Sequence, residues 1–163
     1  MPEIKELGGH TVDLSIANIK ELTNFAQLLA KQLEPPFIVC LRGDLGVGKT
    51  TIAKHIINHL SYPLVQEVTS PTFNIVHIYD TNKGPVWHLD LYRIQSVVEL
   101  KEIGIEDAMS NIMIVEWPEI IVDLLGGKDV LDIKMAFGDV EGSRNVNGTF
   151  YGANGKCKLD KFK

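Results

Sequence analysis

The stretch LRGDLGVGKTT, Leu41 to Thr51, contains the pattern G-x-x-x-x-G-K-T. Gly43, Gly46 and Gly48 keep the backbone bare where it must wrap phosphate oxygens. Successive N–H groups then converge on the anion, and the positive end of the following helix adds to them. In this pattern Lys49 meets the β- and γ-phosphates and Thr50 offers a hydroxyl to Mg²⁺. Asp44, Leu45, Val47 and Thr51 complete the triphosphate-binding stretch. The mechanism demands a buried strand before the loop and a helix after it. FIVCLR is a continuous apolar run, as a strand buried on both faces requires. TTIAKHIINHL then places Ile52, Ile56 and Leu60 on one helical face. A chance glycine turn does not come with that context.

The rest of the chain alternates between the two periods. IANIKELTNFAQLLAKQL sets Ile19, Leu22, Ala26, Leu29 and Leu33 at helical steps, and Pro35 and Pro36 end it. FNIVHIYD and PVWHLDLYRI flank the polar TNKG, which predicts a β-hairpin. SVVELKEIG reads as a short helix and NIMIVEW as a buried strand. PEIIVDLL reads as a helix with Pro118 in its first turn. DVLDIKMAF and SRNVNGTFYG read as late strands. The expected fold is α/β: a P-loop NTPase-like mixed sheet with helices on both faces and an antiparallel hairpin. The 163 residues suit one P-loop ATPase domain over 1–155, with 156–163 as a flexible C-terminal tail.

The net charge of −5 argues against holding nucleic acid by blanket phosphate neutralisation. Cys40 lies in an apolar run and Cys157 in the tail, without zinc-site spacing. The charged N-terminus MPEIKELGGH lacks a signal-peptide core, and no apolar run approaches a membrane span. These features read as a soluble cytoplasmic protein.

A P-loop enzyme also needs an acid at a strand end, on the metal side or near the attacking water. Glu116 ends IMIVE and ranks first for the metal. Asp90 ends VWHLD and is the second acid, near the γ-phosphate or water. In TSPTF, the hydroxyls of Thr69, Ser70 and Thr72 suit a switch-like loop that senses phosphate. A polar turn fixed by Pro71 explains the same residues equally well. His55, His59, His77 and His88 form no recognisable metal set, and the first two read as solvated helix residues. Trp117 follows Glu116 directly, which brings its ring towards the nucleotide.

A guanine-specific switch needs Asn-Lys-x-Asp, but TNKGP has Pro85 at the acid's position. Small-molecule kinases carry several lid arginines. Here Arg42, Arg93 and Arg144 are scattered, so a P-loop kinase is the alternative and not the first reading.

GDLGVGKTT, TSPTF, HLDLYRI, ELKEIGIED and IVEWPE occur in the order and spacing of the TsaE (YjeE) family, which the chain resembles over residues 15 to 120. LDLYR and VEWPE are not general P-loop features, so the combination is specific. The resemblance implies a small Mg²⁺-dependent ATPase. It would act with TsaD and TsaB in placing threonylcarbamoyladenosine beside the anticodon of tRNA. It would meet tRNA only indirectly, through that complex, and its ATP hydrolysis would reset the complex between turnovers. Carried onto this chain, the resemblance puts Lys49 on phosphate, Thr50 and Glu116 on metal, and Lys49, Asp90 and Glu116 in the catalytic set. A base contact falls at Ser15 or Ile16, and late nucleotide contacts fall at Gly142 and Arg144. With no lid and no evident arginine finger, hydrolysis should be slow without a partner.

Lys49→Ala should weaken triphosphate binding about tenfold or more, the loss of one charge-assisted bond worth about 1.5–3 kcal/mol. Titration calorimetry with ATP measures it, and unchanged binding and hydrolysis would refute the loop assignment.

Overall fold

The computed structural model describes residues 10–152. The chain opens with strand β1 (His10–Ile16) and helix α1 (Ile19–Ala30), then β2 (Phe37–Arg42) and α2 (Lys49–Ser61). The hairpin β3 (Val76–Thr81) and β4 (Gly84–Asp90) follows. Then come α3 (Val97–Glu102), α4 (Ile105–Met109), β5 (Ile112–Glu116), a 3₁₀ helix (Pro118–Leu124), β6 (Val130–Phe137) and β7 (Arg144–Tyr151). The expected tail at 156–163, with Cys157, lies outside the described residues.

All seven strands form one sheet, in the order β1-β7-β6-β2-β5-β4-β3. Its centre is parallel: β2 pairs with β5 and β6, and β5 pairs with β4. Both margins are antiparallel, through β3–β4 on one side and β6–β7–β1 on the other. The sheet is therefore mixed, as expected, with more antiparallel pairing than the hairpin alone supplies. β1 is an edge strand that sequence reasoning missed. Its Val12, Leu14 and Ile16 do alternate, but only Val12 and Ile16 are fully buried.

Alternation along the strands splits the core in two. Val39, Leu41, Ile112, Ile114, Leu131 and Ile133 face α1 and α2. Ile38, Cys40, Met113 and Val115 face α3, α4 and the 3₁₀ helix. Cys40 is a core thiol, and burial raises its pKa well above the ordinary value. α1 starts at Asn18, whose side chain accepts from the Glu21 N–H. α3 starts with a reciprocal capping box between Ser96 and Glu99. His55, expected to be solvated, instead shares a 3.1 Å hydrogen bond with Thr23 Oγ1 and ties α2 to α1.

PEIIVDLL is helical but wound as a 3₁₀ turn. It buries Pro118 and Ile121, which lie three apart and so eclipse in a 3₁₀ winding, together with Val122.

A charged cluster braces the end of β2 from inside the fold. Arg42, at the end of β2, is 2% exposed and donates to Asp132 Oδ1 on β6 at 2.8 Å. It also reaches Glu119 Oε1 at 3.3 Å. Burial opposes the arginine charge, yet Asp132 and then Glu119 carry its pKa above the ordinary value. The cluster fixes the end of the strand from which the phosphate loop departs. Asp132→Ala should destabilise the fold by about 3–5 kcal/mol, because it strands a buried guanidinium. Glu119 is one-third exposed, so Glu119→Ala should cost about 1 kcal/mol or less. Urea unfolding of the two variants checks the order, and equal losses would contradict it.

Candidate active site

The carboxyl ends of β2, β5 and β4 lie side by side, and the candidate residues come together there. This is the crevice where open α/β sheets bind ligands. The phosphate loop leaves β2 through Gly43 at φ 140°. A Cβ at Gly43 would fall 2.4 Å from the Met135 carbonyl oxygen, so no other residue fits. Gly48 (φ 119°) ends the loop and begins α2, and no side chain caps that helix. The first N–H groups of α2 are thus left for a ligand.

The loop opens on a cavity of about 410 Å³. Leu45, Gly46, Gly48, Lys49, Thr50 and Thr51 line one side. Ser70, Thr72, Asp90, Tyr92, Glu116 and Trp117 line the other. Val47 anchors the loop in the core, at 0% exposure. The Lys49 ammonium donates to the carbonyls of Gly43 (2.6 Å) and Asp44 (2.9 Å), so it is satisfied by its own loop. It also lies 4.4 Å from the Trp117 ring centroid, as a cation over a π face. Trp117 adopts φ 56°, a left-handed conformation rare for a bulky residue, and its ring leans on Tyr92. That local strain aims the indole into the cavity.

The register of the sheet joins the two acids. Asp90 and Glu116 are paired residues on neighbouring strands, β4 and β5. Glu116 accepts from the Thr50 hydroxyl, at 2.9 Å to Oε1 and 3.2 Å to Oε2. Asp90 Oδ2 accepts from Ser70 at 3.2 Å, and its Oδ1 accepts from the Tyr92 N–H at 3.1 Å. Ser70 in turn shares a 2.8 Å bond with Thr72. Two of the three TSPTF hydroxyls therefore face the cavity, while Thr69 is exposed outside it.

The late residues divide. Arg144 Nε donates to the Val47 carbonyl at 3.0 Å, so Arg144 braces the phosphate loop from behind. Gly142 supplies the carbonyl that receives Arg144 Nη1. Ser15 opens onto a different cleft, between β1, β7 and β6, and Ile16 is a core residue. The geometry does not bring Ser15 to the phosphate cavity. Arg93 lies over the Phe73 ring at 4.6 Å.

Sequence reasoning missed His88. Its Nε2 lies 2.8 Å from Glu116 Oε1, and the ring is fully buried. A signal was present: His88 precedes Asp90 by two residues on a strand, so both side chains share a face. No group of three or more metal-ligating His, Cys, Asp or Glu residues occurs among the described residues.

Burial holds the Lys49 pKa below the ordinary lysine value, against the pull of Glu116, Asp90 and Asp44. A bound phosphate favours the ammonium and raises that pKa again. Below the lowered pKa, Lys49 is charged with or without ligand. Between the lowered and the raised pKa, binding must take up a proton. ADP binding in alkaline buffers of different ionisation enthalpy should therefore show proton uptake in the wild-type protein. Lys49→Arg, which keeps its charge, should show none; equal uptake in both would contradict the assignment.

The family model for the threonylcarbamoyl adenosine biosynthesis protein TsaE matches residues 16–146. A tRNA threonylcarbamoyladenosine biosynthesis protein TsaE of Rickettsia prowazekii is 47% identical over 107 residues, covering 65% of this chain and 74% of that one. Its namesake in Synechocystis is 34% identical over 116 residues, covering 68% and 72%. A crystal structure of YdiB from Bacillus subtilis superposes with a TM-score of 0.67 at 27% identity, covering 90% of each chain. The family model spans most of this chain and the relatives match it over two thirds or more of their length, so the chain belongs to the TsaE family.

Proposed function

We propose that this chain binds and hydrolyses ATP to drive threonylcarbamoyladenosine modification of tRNA beside the anticodon, acting on a TsaD–TsaB complex in the cytoplasm. Family membership supports the pathway. One observation carries the chemistry: a phosphate loop, a Thr50–Glu116 hydrogen bond and the paired Asp90 converge on one cavity. The proposal covers residues 1–155 as one P-loop domain. Gly142 enters it as a nucleotide contact beyond the phosphates.

The phosphates lie against the loop from Gly43 to Thr51. Lys49 exchanges its bonds to the Gly43 and Asp44 carbonyls for bonds to phosphate oxygens. The donors beside it are a hydroxyl and carboxylates, a hard oxygen set that suits Mg²⁺. Thr50 and Glu116 would hold that ion, which supplies charge neutralisation on the phosphate oxygens. Asp90, oriented by Ser70 and the Tyr92 N–H, directs the attacking water. Lys49 and the loop N–H groups stabilise charge on the transferring phosphoryl group.

The three arginines explain the need for a partner. Arg42 is committed to Asp132, Arg144 to the Val47 carbonyl and Arg93 to the Phe73 ring. None lines the cavity. An added cationic group at the γ-phosphate can raise such rates by orders of magnitude.

Phosphate release should therefore rise at least about tenfold when TsaD and TsaB are added. Equal rates with and without them would refute partner dependence. Glu116→Gln should bind ATP but hydrolyse it about 10²-fold more slowly. Wild-type turnover in that variant would remove Glu116 from the site. With labelled ATP the label should appear as inorganic phosphate; a phosphorylated metabolite would restore the kinase reading.

A further inference from the structure

His88 stands on β4, which is paired on both sides, to β3 and to β5. The ring is 0% exposed. A carboxylate only accepts, so the nitrogen 2.8 Å from Glu116 Oε1 carries the hydrogen. The other ring nitrogen, Nδ1, has no hydrogen-bond partner among the described residues. A buried imidazole with one unpartnered nitrogen is costlier than an aliphatic side chain of similar size. What the histidine adds over leucine at this position is the bond to Glu116.

That bond has a purpose that Thr50 cannot serve throughout the cycle. Thr50 Oγ1 shares Glu116 Oε1 at 2.9 Å. Once the hydroxyl turns to metal and phosphate, its hold on Glu116 is loosened. A glutamate has three rotatable bonds, and a carboxylate off its position by an ångström loses much of its effect. His88 approaches Glu116 from within the sheet, on a short side chain locked by burial. We infer that His88 is a positioning residue: it keeps the Glu116 carboxylate aimed into the cavity when Thr50 changes partners. This rests on the proposed role of Glu116, and the inference assigns His88 no contact with nucleotide.

Three substitutions test it in the full chain, assayed with Mg·ATP and TsaD–TsaB. His88→Gln keeps an N–H at about the reach of Nε2. His88→Asn draws it back to the reach of Nδ1. His88→Leu removes it. The Leu and Asn variants should lose about 10–100-fold in kcat, the usual effect of removing a group that orients a metal-side ligand. Their KM for ATP and their metal-free ADP affinity should stay within about threefold. His88→Gln should recover most of the rate. In a Glu116→Gln background, His88→Leu should cause no further loss.

Equal kcat for the Gln and Asn variants would overturn the inference, and that comparison holds even if the Leu variant does not fold. A parallel fall of kcat, ADP affinity and thermal stability in all three variants would also overturn it, as the mark of a packing residue. Wild-type kcat in the Leu and Asn variants, with Glu116→Gln inactive, would remove His88 and leave the function of Glu116 standing. Wild-type kcat in Glu116→Gln would remove both.

Discussion

The hydrogen bond between Thr50 and Glu116 depends on most of the fold. Thr50 belongs to the first turn of α2 and Glu116 to the last residue of β5. They meet because β2 and β5 are parallel neighbours, with Leu41 paired to Glu116. Parallel pairing puts both strand ends on the same side of the sheet. Ile52, Ile56 and Ile57 then hold α2 over the face from which Glu116 projects. The apolar runs of β2 and β5 thus serve the site as well as the core: they allow strands buried on both faces and place two polar groups at their ends.

The electrostatics of the cavity follow from the same arrangement. One lysine faces two carboxylates among its lining residues. A triphosphate entering that space meets net negative charge from the side chains, offset by the loop N–H groups and the start of α2. A divalent cation is the simplest compensation, and the oxygen donors at Thr50 and Glu116 suit one. The arginines that serve this purpose in other P-loop enzymes are here part of the scaffold. A site short of cations is one that a partner protein can complete, and this is the physical content of the proposed partner dependence.

How much was legible in the sequence follows from how local each feature is. Strand, glycine loop and helix from Phe37 to Ser61 announce themselves within 25 residues, because each part has its own periodicity. Glu116 and Asp90 were legible as acids that end apolar runs, but their pairing needed the register of β4 on β5. β1 was missed because an edge strand becomes a strand through its partner, β7, at the far end of the chain. PEIIVDLL was correctly read as helical, while its 3₁₀ winding depends on packing and on the conformation of Trp117 before it. Ser15 was placed by resemblance, not by residue chemistry, and the sheet carries it to a separate cleft. His88 was set aside in a search for metal ligands, where its value lies in one hydrogen bond to an acid on the next strand.

The most direct measurement is a crystal structure of the chain with Mg²⁺ and a non-hydrolysable ATP analogue. The account predicts the triphosphate on the loop from Gly43 to Thr51, with Lys49 released from the Gly43 and Asp44 carbonyls. It predicts Glu116 still bonded to His88, on the side of the metal. Phosphates bound elsewhere, or Lys49 still closed on its own loop beside a bound nucleotide, would contradict it.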